Sequence, residues 1–139
     1  MAYSVEPKDF NIDFRSLEEI ETFKQNLTPI KTSNSNGVSL NFSFPHYSSS
    51  TLNEIANLAT LVSQSGYKPE VRIFGNNLEF KKSDLVNILE YEKLLKSKNI
   101  RVLITDKENL YSVQETVKAY VRAQKEISRI KDMKLSPFE

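Results

Sequence analysis

The chain has no cysteine, and that absence alone closes several routes to function. Disulfides, thiolate nucleophiles and cysteine-ligated metals are excluded together. Small secreted domains often carry disulfide staples, so their lack points to a reducing compartment, and the expected location is cytoplasmic. Histidine occurs once, as His46 in Phe44-Pro45-His46-Tyr47-Ser48. It falls in the loop after a strand, where α/β sheets often place ligands, but a solvated loop histidine is the preferred reading. No His-x-x-x-His or Asp-x-Asp-x-Asp spacing gathers metal ligands around it. A Ser–His–Asp set could formally be drawn from Ser48, Ser49 or Ser50, yet no Gly-x-Ser-x-Gly elbow is present.

Glycine is nearly as scarce, with three residues in 139. That leaves neither a Gly-x-Gly-x-x-Gly fingerprint nor a Walker loop, and Gly75-Asn76-Asn77 reads as a plain turn. The paired carboxylates Glu18-Glu19 and Glu90 with Glu92 point to different sides of their helices, so neither pair forms an acid and base facing one substrate. The expectation is a chain with no cofactor, no metal and no catalysis of its own.

Charge of one sign is missing too. Nineteen Lys and Arg stand against eighteen Asp and Glu, giving +1. No long-range field steers the protein to nucleic acid or membranes, so a charged partner must be read by a local patch. No apolar run approaches the ~18 residues that cross a bilayer. The start, Met1 to Pro7, lacks the basic and apolar regions of a signal peptide. No membrane partner is expected.

What remains is ordinary globular material, 39% hydrophobic and 27% charged. At this length a single domain over residues 1–135 is expected. The pattern predicts α/β architecture, a small three-layer or two-layer sandwich. About three mainly parallel strands (38–44, 70–74, 100–104) alternate with helices over 16–27, 51–65, 83–97 and 112–132. A further short strand is suggested around Asn11 to Phe14, and a brief edge strand at Leu78 to Phe80.

The clearest strand is Val38-Ser39-Leu40-Asn41-Phe42-Ser43-Phe44, alternating apolar and polar until Pro45. Helix starts are marked by Ser16 with Glu19, Thr51 with Glu54, Ser83, and Ser112 with Glu115. In the first, Glu19 is expected to reach back to the Ser16 amide. Gly66 sits where a left-handed helix end wants it. Phe42, Ile73 and Ile104 recur every 31 residues, which reflects similar element lengths rather than a solenoid.

The most informative polar feature lies on the last helix. Lys118, Arg122, Lys125 and Arg129 follow at spacings of four, three and four, which confines them to an arc of ~60°. Val113, Val117, Tyr120 and Ile127 take the opposite side. The ridge could grip phosphates or an acidic partner. A solvated amphipathic face, blunted by Glu115 and Glu126, accounts for it as well.

Ser136-Pro137-Phe138-Glu139 carries the signals of a helix start, so residues 136–139 are expected to open a truncated next element. The stretch Ile127-Ser128-Arg129-Ile130-Lys131-Asp132-Met133-Lys134-Leu135-Ser136-Pro137-Phe138-Glu139 resembles the connector preceding the transglutaminase-like, papain-like thiol domain of certain bacterial proteins. The resemblance covers about a tenth of the chain, by short motif. It implies a non-catalytic N-terminal accessory module, with the family's Cys, His and Asp downstream of Glu139. The frequent Asn, Lys, Ser and Ile suit the AT-rich genes of low-GC bacteria and their phages.

Three functions follow as expectations. The first is an accessory or protein-interaction module whose partner is another protein or a downstream domain. The second is a complete phage or mobile-element protein that inhibits a protein partner by binding. The third is nucleic-acid binding through the basic ridge.

Overall fold

A computed structural model describes residues 10–27, 37–75, 80–106 and 108–135. In chain order the elements are β1 (Phe10–Phe14), α1 (Leu17–Asn26), β2 (Gly37–Phe42), α2 (Ser49–Gln64), β3 (Lys68–Phe74), α3 (Lys82–Lys96), β4 (Arg101–Thr105), β5 (Leu110–Ser112) and α4 (Val113–Leu135). The fold is mixed α/β. Its five strands lie in the order β1-β2-β3-β4-β5. The first four are parallel and β5 runs antiparallel to β4.

Strand order explains the layering. Each crossover from β1 to β4 steps one strand in the same direction, and right-handed connections then lay every helix on one face. The contacts agree, since α1 meets α2, α2 meets α3, and α3 meets α4. Among the described residues the architecture is therefore two-layered, one of the two forms expected.

The sheet has five strands rather than about three. β1 matches the short strand suggested near Asn11. β5 escaped detection because three residues are too few to show a period, and they run straight into a helix. The strand expected over 38–44 ends at Phe42, before Pro45. Ser43 N–H still donates to the Phe14 carbonyl at 3.0 Å, but Phe44 N–H turns to the Tyr47 hydroxyl at 3.1 Å. The strand expected over 70–74 begins two residues earlier, at Lys68, and includes Pro69. Proline is tolerated because pairing with β4 starts only at Glu70, so Pro69 has a strand neighbour on one side alone. The strand expected over 100–104 is shifted by one, to Arg101–Thr105. The edge strand at Leu78 to Phe80 and the turn residues Asn76 and Asn77 fall largely outside the described residues, as do residues 136–139.

Register places the core. Ile12, Leu40, Val71 and Val102 align across the strands, and so do Phe14, Phe42, Ile73 and Ile104. These face the buried helix residues Ile20, Leu52, Ile55, Leu58, Val62, Leu85, Ile88 and Leu95. Phe14 stacks on Phe42 with ring centres 5.1 Å apart.

Helix ends show the local chemistry at work. Ser16 caps α1, accepting the Glu19 N–H at 3.2 Å. The returning Glu19 carboxylate takes the Arg15 N–H at 2.6 Å, not the Ser16 amide expected of it. α2 begins earlier than residue 51, because Ser48 is its cap and accepts the Thr51 N–H at 3.3 Å. α3 starts at Lys82 rather than at a Ser83 cap. There the Asp84 carboxylate accepts the Lys81 N–H at 3.2 Å and the Tyr47 N–H at 3.0 Å, tying the β2–α2 loop to α3. Gly66 closes α2 at φ 99°, with the Tyr67 N–H on the Val62 carbonyl and its own N–H on Ser63. Asn99 does the same for α3 at φ 61°.

Candidate interaction surface

α4 is the longest helix, and its length sets the geometry. Its 23 residues span about 34 Å, whereas the 15 of α3 span about 22 Å. Ser112 accepts the Glu115 N–H at 3.0 Å and fixes the start against β5. The helix runs to Leu135, past the expected end at 132. Val113 and Thr116 are buried, and Val117 and Tyr120 pack on the core. From Val121 to Lys131 every residue but Ala123 is exposed, so the second half projects beyond the body.

The apolar stripe does not stop where the body does. Val113, Tyr120 and Ile127 are spaced by seven, as are Thr116, Ala123 and Ile130, so one heptad frame runs from Val113 to Ile130. In the first half this stripe is covered by the protein's own core. In the second half Ile127 and Ile130 are 42% and 45% exposed. Sequence reading placed Ile127 on the apolar side but overlooked Ile130 and the continuation. The seven-residue spacing was the signal.

The basic ridge is real as a surface. Lys118, Arg122, Lys125 and Arg129 are all exposed. Arg129 pairs with Glu126 on its own helix. Lys118, Arg122 and Lys125 form no ion pair among the described residues. The ridge and the stripe thus occupy opposite sides of one projecting rod.

Elsewhere the polar groups are tied into structure. His46 is exposed in the β2–α2 loop. No group of three or more His, Asp or Glu gathers at metal-binding range among the described residues. The Tyr47 hydroxyl is buried between the Phe42 carbonyl at 3.0 Å and the Phe74 carbonyl at 3.3 Å. Asp106 turns the chain between β4 and β5. It accepts the Asn109 N–H at 3.1 Å and the Glu108 N–H at 3.3 Å, and these bonds hold its carboxyl below the ordinary aspartate value.

The sheet face away from the helices carries a set that sequence reading missed. Glu70 and Arg72 are both buried and joined at 2.8 Å, and Arg101 reaches Glu70 from β4 at 2.9 Å. Register makes this possible, since Glu70 lies opposite Arg101. On the same face the Ser39 hydroxyl is buried with no hydrogen-bond partner among the described residues.

Two small cavities mark the ends of the sheet. One of about 190 Å³ is apolar, lined by Ile12, Phe23, Leu27, Val38, Val62 and Tyr67 among others. Another of about 210 Å³ lies at the carboxyl ends of the first strands, beside Asp13, Arg15, Asn41 and Ser43. No helix among the described residues is long and apolar enough to cross a membrane. No protein-family model matches the chain, and no curated protein or solved structure matches it.

Proposed function

We propose that the chain is a non-catalytic protein-interaction module whose binding element is the projecting half of α4. The observation that carries this is the uncovered continuation of a core-forming stripe through Ile127 and Ile130. A stripe that packs in one half of a helix is a surface suited to packing in the other. The likeness of the sequence from Ile127 to Glu139, chiefly its Leu135-Ser136-Pro137-Phe138-Glu139 step, to the connector ahead of transglutaminase-like domains supports an accessory form of this reading, in which α4 joins the module to a thiol catalytic domain. An inhibitor acting on a separate protein would use the same stripe.

A benzophenone amino acid placed at position 127, and separately at 118 on the opposite side, tests the proposal by irradiation in the producing cells. The stripe reading expects a covalent adduct to a polypeptide from position 127 and none from 118. An adduct from 118 alone, or from neither, overturns it.

The ridge supports a second reading, because Lys118, Arg122 and Lys125 present exposed cations on one side. Binding of nucleic acid by those three and Arg129 would show a log–log salt slope of roughly −3 to −4. Reversing the charge of Arg122 and Lys125 would abolish it, and a gel shift unchanged by that reversal removes the idea.

A further inference from the structure

We propose that residues 1–9, the stretch ahead of β1, cross the sheet face opposite the helices and cover its middle strands. This face is separate from the α4 surface.

Every described helix sits on one side of the sheet, yet the other side is not open to water. Ser39 and Leu103 are 0% and 2% exposed there, and Asn41, Glu70, Arg72 and Thr105 are buried with them. Register puts this set on one face, since Ser39 lies opposite Glu70, Asn41 opposite Arg72, and Arg72 opposite Leu103. A side chain standing on a bare sheet keeps part of its surface in solvent, and parallel strands are ordinarily covered on both faces. No described element supplies the second cover. The cover fades at β1, where Asn11 and Asp13, opposite Ser39 and Asn41, are exposed.

Outside the described residues two stretches are long enough to supply it, 1–9 and 28–36. The far edge of the sheet chooses between them. Glu115 lies in the first turn of α4, just past β5, which is the edge strand opposite β1. Its carboxyl is held below the ordinary glutamate value, first by a hydrogen bond from the chain's amino terminus. From β1 to β5 is four strand spacings, about 19 Å, and nine extended residues reach about 30 Å. A route over the other face must climb across α1, α2 and α3, each about 10 Å thick, and exceeds that reach. Residues 28–36 are tethered at both ends, between α1 and β2, and bring no amino terminus to Glu115.

The composition suits the surface. Tyr3, Val5 and Pro7 alternate with Ser4, Glu6 and Lys8, so an extended chain offers its apolar side to Leu103 and its polar side to water. Pro7 also removes an amide that the crossing would leave without a strand partner. The Glu70–Arg72 pair accordingly sits between two layers of the chain rather than on its surface.

The absence of cysteine gives a clean test on the full chain. Ser39→Cys, a near-isosteric change at an orphaned hydroxyl, should react with a maleimide at least ~100-fold more slowly than Lys118→Cys. Deleting residues 2–8 should raise the Ser39→Cys rate at least ~10-fold, while Val71→Cys, on the helix side of the same sheet, stays protected. A Ser39→Cys rate that the deletion does not raise overturns the proposal, and so does free reaction in the full chain. If the deletion unfolds the body and exposes Val71→Cys, the full chain still decides. A nitroxide on Ala2→Cys should then broaden the amide signals of Ser112 and Glu115 more than those of Asn11 and Glu18. Broadening greatest at Asn11 and Glu18 overturns the crossing.

Discussion

At the scale of single residues, the buried ion group on the polar sheet face separates two arginines that sequence alone would treat alike. Arg72 is 7% exposed at its side chain and Arg101 59%, yet both hold Glu70. Removing one partner of a buried pair leaves a charge stranded in a poor solvent, at about 3–5 kcal/mol, whereas an exposed pair contributes under ~1 kcal/mol. Glu70→Ala should therefore lower unfolding stability in urea by about 3 kcal/mol or more. Arg101→Ala should cost less than ~1 kcal/mol. Equal losses would show that Arg72 finds water or another acceptor. Gly75 is similarly fixed by one neighbour. Its φ of 154° suits glycine, and a Cβ there would run into the Phe80 ring.

Elements divide into those the sequence announces and those set by neighbours. The amphipathic periods of α1, α2, α3 and α4 were legible because each helix turns one face to the core, and the alternation of β2 because its apolar residues face the helices while the buried Ser39 and Asn41 lie on the other side of the sheet. Their edges were less so, since several polar residues near a helix start can serve as cap and only packing selects among them. In α2 the sequence offers Thr51 with Glu54, but the chain leaves β2 early enough for Ser48 to take the position. Ser48→Ala should destabilise by ~1 kcal/mol, and Thr51→Ala by a few tenths, in thermal or urea unfolding. The reverse order would restore the later start. β5 and the start of β3 depend on pairing across the sheet rather than on local pattern. The Glu70–Arg72–Arg101 group was invisible for the same reason, because register alone brings Glu70 opposite Arg101.

For the whole molecule, the separation between a folded body and a rod that its core leaves uncovered is open to direct measurement. The fold class was legible because alternating strands and helices leave few topologies, and sequential strand order then puts the helices on one face. The surface was half legible. Its charged side could be counted from spacing, but whether its apolar side was covered depends on where the body ends. Val113 and Ile127 hold the same heptad position, yet one is 0% exposed and the other 42%. Val113→Ala should cost about 1–3 kcal/mol by lost burial and a residual cavity. Ile127→Glu should change monomer stability by less than ~0.5 kcal/mol at micromolar concentration, as surface substitutions do. The loss in Val113→Ala should be the same at every protein concentration, because it arises inside the folded body. A large loss in Ile127→Glu would mean the stripe is packed on the chain's own body, and would remove the surface on which the proposed function stands.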